Sequence, residues 1–483
     1  MNQSVVRRCC LSLTSVSIAA LFSACSLNPA TGRPQLALMS EGQEVELGRK
    51  ANQEIQATMP PYEDQRLQEY VSGLGHKLAA ASERPSLPWT FTVVDDPAVN
   101  AFALPGGYIY ITRGILNHMT SEAQVVGVLA HEIGHVTARH SVAQYSKAQL
   151  ANIGMVAGMI LAPELPGLGQ LVQTGLQLMF LKFSRQDEEQ ADDLGLRYLT
   201  RAGYDSNEMV EMFRTLERTS EQEKGGRLPE WLSTHPRPGT RISRTTADIR
   251  AMPGAEQRRV GREEFMAHID RLVFGEDPRE GIFDNSTFYH PGMAFQFEMP
   301  SGWKTDNQKQ GVIGLSPDKD AVVVLTTASG SSPAEAARTF FSKSGAQAGT
   351  TERASIHGLP AVSATFSVQQ QEGTVRGMTA FIEHQGRIFQ ALGYTPAARF
   401  ERYARVLAES ITSLAPLRDP KYLNVKPKHI EIVKLSQPMS IEEFARRYPS
   451  NTDLRTLRII NQVEEGGQLV PGKSYKRVVG GAG

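Results

Sequence analysis

The residues best placed to do chemistry stand together at His131-Glu132-Ile133-Gly134-His135. Two imidazoles four residues apart lie on one face of a helix, the geometry that two ligands need to reach a single Zn²⁺. Glu132 stands beside them, close to any water held by such an ion. A five-residue H-E-x-x-H arises by chance in roughly one chain in a hundred of this length, so the motif needs a suitable setting and a further ligand. The turns before it, Gln124 to Leu129, are strongly apolar, which puts the helix inside a core of low dielectric. Downstream, Ser184-Arg185-Gln186-Asp187-Glu188-Glu189-Gln190-Ala191-Asp192 is an acidic cluster on a helical pattern running to about Arg201. Glu188 and Asp192 are four apart and share a face. A catalytic zinc typically takes three protein ligands and leaves a fourth position for water, so one carboxylate can supply the missing ligand and the other can orient a histidine.

Composition narrows the chemistry further. All three cysteines, Cys9, Cys10 and Cys25, fall in the first 25 residues, so a metal in the body must be held by His and carboxylate. Lys plus Arg and Asp plus Glu are both 51, which leaves no basic excess for a phosphate backbone and excludes nucleic acid as an expected partner. A length of 483 residues exceeds one hydrophobic core and suggests about two to four domains. The N-terminus reads as an export signal, with Arg7 and Arg8, an apolar stretch from Cys9 to Ala20, then Leu21-Phe22-Ser23-Ala24-Cys25. Small residues before a cysteine resemble a bacterial lipobox, with Phe22 where that pattern usually has Leu. In that reading residues 1–25 are a lipoprotein signal, Cys25 is lipidated, and Ser26 resembles the pattern sent to the outer membrane. A plain cleaved signal peptide is the alternative. The expected location is the periplasm, at a membrane reached through the lipid anchor.

These residues need elements to position them. Residues 26–39 contain Pro, Gly and polar residues and fit a tether. Glu41 to Thr58 and Asp64 to Ala81 carry apolar residues at three- and four-residue spacings and predict helices. Trp89 to Val94 predicts a strand, and Ala98 to Leu104 with Tyr108 to Thr112 predicts a hairpin through Pro105-Gly106-Gly107. Thr120-Ser121-Glu122 offers an N-cap for a motif helix continuing to about Tyr145. Between Leu150 and Leu181 the only acid or base is Glu164, while Pro163, Pro166, Gly167 and Gly169 split the segment into pieces shorter than the roughly 20 apolar residues a bilayer needs. It reads as a buried helical hairpin or an apolar lid over the site, with a membrane span as the alternative.

After Arg250 the texture changes. Residues 285–417 mix alternating runs (Ala321 to Thr327, Ala361 to Val368, Met378 to His384) with helical stretches at Pro333 to Ser344 and Ala397 to Leu414, an α+β pattern without a catalytic constellation. Gly292 to Trp303, ending Pro-Ser-Gly-Trp, resembles the opening of small domains of the PsbP and Mog type. Residues 428–479 read strand, helix, helix, strand, through Ile430-Glu431-Ile432-Val433, Ser440 to Ala445, Leu457 to Gln462 and Leu469-Val470-Pro471-Gly472-Lys473. This segment resembles a LysM module, which implies binding of N-acetylglucosamine-containing glycans such as peptidoglycan; a purely structural cap is the alternative.

His131-Glu132-x-x-His135 together with Ser184-Arg185-x-x-Glu188-x-x-Ala191-Asp192 resembles the gluzincin peptidases that include HtpX, the CAAX prenyl endopeptidases and the periplasmic BepA and LoiP proteins. The resemblance extends to Asn100-Ala101-Phe102-Ala103-Leu104-Pro105-Gly106-Gly107 and to Thr234-His235-Pro236 followed by Arg241-Ile242, and covers about residues 40 to 250. It implies one Zn²⁺ per chain held by His131, His135 and Glu188, with Glu132 as general base. Asp192 is implied to accept a hydrogen bond from the outer nitrogen of a ligand histidine, His131 first. Asn100, Ala101, Phe102 and Ala103 look like the edge strand on which substrate pairs as an added strand. His235, with Arg241 nearby, is implied either to stabilise the tetrahedral oxyanion or to latch the metal site; a turn residue is the bland alternative. His76, His118, His140, His268, His290, His357, His384 and His429 carry no ligand spacing and read as structural or solvated. Unlike BepA, the C-terminus shows no 34-residue helical repeat.

The expected fold class is α+β and multidomain. A mainly helical zincin-type peptidase domain at 40–275, with a small edge-strand sheet, is followed by the α+β domain and the small LysM-like βααβ module. The expected function is a zinc-dependent endopeptidase of the envelope acting on misfolded or misassembled proteins. The alternative is a chaperone-like or peptidoglycan-attached scaffold with a latched metal site.

Overall fold

A capped amphipathic helix, a glycine turn and one fully buried helix build the frame around the H-E-x-x-H motif. The computed structural model describes residues 25–159, 178, 181–222, 231, 235, 238–252, 258–308, 311–370 and 373–481. The chain divides into two units, residues 1–275 with 428–479, and residues 276–427 with 480–483. It is a mixed helix-and-sheet, multidomain chain. The export signal, and the apolar segment between Leu150 and Leu181 apart from the backbone to Met159 and single positions near its end, lie outside the described residues. Among the described residues no helix is long and apolar enough to cross a membrane.

The first unit opens with an antiparallel hairpin, β1 (Cys25–Leu27) and β2 (Pro34–Leu36). The segment expected as a plain tether therefore carries structure of its own. Asn28 donates to the Ala138 carbonyl at 3.1 Å, and Gln35 donates to that of Arg139 at 3.2 Å. Helix α1 (Glu41–Thr58) starts at a capping box in which Ser40 and Gln43 satisfy each other's backbone amides. Helix α2 (Gln65–Ala80) is capped by Asp64. A three-stranded sheet follows, with spatial order β3 (Thr90–Val94), β5 (Tyr108–Thr112), β4 (Ala101–Leu104). β3 and β5 are parallel, and β4 and β5 form the predicted hairpin. Gly106 (φ 80°) and Gly107 (φ 100°) turn it through the left-handed region that glycine adopts without strain.

After α3 (Arg113–His118), Ser121 caps α4 (Glu122–Thr137), every residue of which is buried. Val125, Val126, Leu129 and Ile133 join a core contributed by α2, the sheet and later helices, each adding about 1.5–3 kcal/mol by leaving water. This helix carries the motif, and it ends earlier than its sequence suggests. Arg139 adopts φ 56°, breaking the expected run to Tyr145, and a new helix, α5 (His140–Met159), begins. The break has long-range causes: the Arg139 guanidinium bonds the buried Glu44 carboxylate at 2.8 Å, Ser26 Oγ at 3.1 Å and the Met39 carbonyl at 3.0 Å. The unit continues with α6 (Arg185–Arg201), α7 (Asn207–Gln222), α8 (Pro238–Arg250) and α9 (Arg262–Ile269).

Residues 428–479 have the predicted order, with strand Lys428–Lys434, helices Ile441–Arg447 and Leu454–Asn461, and strand Ser474–Gly480 paired with the first. They belong to the first unit instead of standing apart. Gln462 Nε2 donates to the His118 carbonyl at 3.2 Å and to Gln124 Oε1 at 2.8 Å, on the motif helix itself. The buried Lys476 Nζ donates to the Asn117 and Met119 carbonyls, each at 2.7 Å, and burial pushes its pKa well below the usual lysine range.

The second unit contains a seven-stranded antiparallel sheet in the order Gln347–Ile356, Leu359–Gln370, Gly373–His384, Arg387–Pro396, Val322–Ala328, Gly311–Leu315, Lys304–Gln308. Helices Pro333–Lys343 and Phe400–Ile411 lie where helical periodicity predicts them.

Candidate metal centre

Ser184 and Asp187 form a capping box that fixes the start of α6, which puts Glu188 and Asp192 one turn apart on the face turned to α4. The two helices meet through small residues. A Cβ on Gly134 would lie 2.9 Å from the Ala191 carbonyl oxygen, and one on Gly195 would lie 3.1 Å from the His131 amide nitrogen. Gly134→Ala, ordinarily stabilising in a helix by about 0.5–1 kcal/mol, is therefore expected to lower the melting temperature here and to weaken metal retention. Calorimetry and metal analysis of the variant check both; a raised melting temperature would refute the close-approach argument.

The consequence of that approach is a buried cluster. His131, His135, Glu188 and His235 each offer one ligand atom, all within 4.8 Å of one another. His131 Nε2 and His135 Nε2 are 3.1 Å apart, and Glu188 lies 3.8 Å from the first and 3.5 Å from the second. The donor set is two imidazole nitrogens and a carboxylate with a third imidazole, which fits a borderline-soft divalent ion such as zinc. Burial, then the neighbouring His131, pushes the His135 pKa well below its usual value, leaving the neutral ring a metal needs. Burial would raise Glu188, but His235 and Arg241 outweigh it and hold its pKa down, so the carboxylate is charged. Glu132 is 1 % exposed and neither of its carboxylate oxygens accepts a hydrogen bond among the described residues. Its nearest charged partner is His235 Nε2, 3.8 Å from Oε1.

Asp192 Oδ1 sits 3.0 Å from His131 Nδ1, the outer nitrogen of that ring. Arg241 clamps the same carboxylate with bonds of 2.8 and 2.5 Å, reaches Glu188 at 3.3 Å, and lies over the rings of Phe213 and Trp231. Burial opposes charge on Asp192, but Arg241 holds its pKa far below the carboxylate range. His235 Nδ1 lies 2.9 Å from Glu188 Oε1 and 3.3 Å from His131 Nε2. Burial lowers its pKa, and Glu188 more than reverses this, raising it above the usual imidazole value. A cavity of about 530 Å³ opens on Glu188 and Arg241.

Residues 65–248 match the family model described as Peptidase family M48. The matched segment contains every member of the cluster. The chain is 30 % identical over 224 residues to the beta-barrel assembly-enhancing protease of Escherichia coli, covering 44 % of this chain and 45 % of that one. It is 36 % identical over 180 residues to a mitochondrial metalloendopeptidase, OMA1, of Arabidopsis thaliana (37 % and 35 % covered), and 31 % identical over 236 residues to the mitochondrial metalloendopeptidase OMA1 of Homo sapiens (46 % and 45 %). The chain thus spans about half the length of these curated relatives or less. Together the M48 match and these relatives support a gluzincin metallopeptidase, a family that implies a metal, typically zinc. A solved structure of cyanobacterial PsbP from Synechocystis aligns at 13 % identity and a TM-score of 0.24, covering 28 % of this chain and 95 % of that one.

Of the other residues singled out by sequence, Asn100 precedes the edge strand β4, whose residues Ala101, Phe102 and Ala103 are buried. The Val99 carbonyl beside it accepts a hydrogen bond from the Trp231 amide at 3.2 Å. Two residues escaped the sequence reading. Trp231 stacks on His235 with ring centres 4.9 Å apart. His140, read as structural or solvated, has Nδ1 3.0 Å from His135 Nδ1. No spacing rule marks either.

Proposed function

We propose that this chain is a zinc-dependent endopeptidase of the cell envelope that hydrolyses peptide bonds in misfolded or misassembled proteins. The observation that carries the reading is the buried set His131, His135 and Glu188 with the carboxylate of Glu132 alongside, its oxygens accepting no hydrogen bond among the described residues. His131, His135 and Glu188 would hold the zinc. A bound zinc would acidify a water and polarise the substrate carbonyl. Glu132 takes the proton from the attacking water and passes it to the departing amine. Asp192, clamped by Arg241, keeps the His131 ring in place through Nδ1. An extended substrate would pair along Asn100–Ala103 as an added strand, which gives affinity through backbone bonds without strict sequence choice. His235 would donate to the developing oxyanion once released from Glu188.

Lipidation at Cys25, a periplasmic site at the outer membrane and glycan contact by the LysM-like residues 428–479 belong to the same proposal. They rest on the sequence resemblances, and the name of the Escherichia coli relative agrees with an envelope substrate. Comparison of cleavage products by mass spectrometry in envelopes exposed to wild type and to Glu132→Gln tests the whole reading. Peptides with new termini should appear with wild type alone; identical products from both proteins would end it.

A second reading, a chaperone-like or peptidoglycan-attached scaffold with a latched site, is favoured by the bond between His235 and Glu188. Glu132→Gln protein that supports envelope assembly as well as wild type would decide for it.

A further inference from the structure

The two histidines of the motif differ in what holds their outer nitrogens. His131 Nδ1 faces the Asp192 carboxylate. His135 directs Nε2 into the cluster, 3.5 Å from Glu188, so its Nδ1 is the outer nitrogen, and that atom meets an imidazole. A ligating histidine is neutral and carries its proton on the nitrogen away from the metal. His135 Nδ1–H therefore donates to His140 Nδ1 at 3.0 Å, which requires that His140 carry its own proton on Nε2. Nε2 lies 2.8 Å from Gln190 Oε1, an acceptor oriented to receive it. Gln190 Oε1 also accepts from Asn28 Nδ2 at 3.4 Å, and Asn28 is fixed by its bond to the Ala138 carbonyl. Every proton in the chain His135, His140, Gln190 thus has one consistent place. The break at Arg139 makes this possible, since it starts α5 at His140 and points that ring back at the helix just ended.

We propose that His140 is the positioning residue for His135, accepting its Nδ1 proton so that Nε2 is presented to the metal, with Gln190 fixing the tautomer of His140. The inference rests on the zinc-site reading above. It also makes the two ligand histidines unequal, because a neutral imidazole polarises its partner less than the Asp192 carboxylate polarises His131.

The test is zinc affinity, measured by competition with a chromogenic chelator on the full chain, alongside the melting temperature of the metal-free protein. His140→Phe keeps a ring but has no acceptor, and should bind zinc about 10–100-fold more weakly. His140→Gln restores an acceptor oxygen and should recover most of that loss. Gln190→Leu, which leaves both imidazoles in place, should weaken binding several-fold and serves as the decisive variant if His140→Phe does not fold. A merely structural role would instead lower the metal-free melting temperature in the Phe and Gln variants alike without separating their affinities. Zinc binding by His140→Phe or, where it does not fold, Gln190→Leu within about twofold of wild type, or a Gln variant as weak as the Phe variant, would overturn the proposal. Failure of wild type itself to bind zinc would instead remove the metal-site reading.

Discussion

Glu132→Gln is expected to keep its zinc and to lose peptide hydrolysis by about 10²–10⁴-fold, the usual contribution of a positioned general base. The substitution keeps shape and volume in a site where the side chain is 1 % exposed, so packing does not change. It also leaves His131, His135 and Glu188 intact, so a metal has the same donors. What it removes is the ability to take a proton. Neither carboxylate oxygen is engaged in a hydrogen bond among the described residues, so the interaction the amide gives up inside the protein is the 3.8 Å approach of His235 Nε2. Metal analysis and hydrolysis of an unstructured peptide, run on the same preparation, check both halves. Full activity in the variant would remove Glu132 from the mechanism.

Glu188→Gln has the opposite signature, since it should lose the metal first and the hydrolysis with it. Glu188 is the carboxylate of the four-residue cluster, and a neutral amide replaces an anionic ligand beside two neutral imidazoles. The variant also leaves Arg241 with Asp192 as its anionic partner, and breaking one side of a buried ion pair destabilises by about 3–5 kcal/mol at the upper end. The prediction is near-complete zinc loss on dialysis, with a lowered melting temperature that added zinc does not restore. Zinc retained at the wild-type level would show that another group, His235 being the nearest, supplies the third ligand.

Much of the frame was legible because it is local. The three- and four-residue spacing of apolar side chains in Glu41–Thr58, the Gly106-Gly107 turn and the Ser121 cap each express a rule that acts over a few residues. So did the pairing of Glu188 with Asp192 on one face. The end of the motif helix was not legible, because Arg139 turns to meet Glu44, Ser26 and Met39, which lie about a hundred residues earlier. The same holds for Lys476. In sequence it is an ordinary lysine of a terminal strand, and only the fold brings its Nζ to the carbonyls of Asn117 and Met119 and joins residues 428–479 to the rest of the first unit. His140 was passed over for a related reason: a ligand is betrayed by spacing, whereas a residue that supports a ligand needs only to be near it. The segment from Leu150 to Leu181, read as an apolar hairpin or lid, falls largely outside the described residues.

The most direct test strips the purified full chain of metal with a chelator, titrates zinc back, and follows binding and peptide hydrolysis together. About one zinc per chain should bind, with hydrolysis returning in proportion and reaching its plateau at the same point. Stripped protein that still cleaves peptide, or a chain that takes up no zinc at all, would contradict the account.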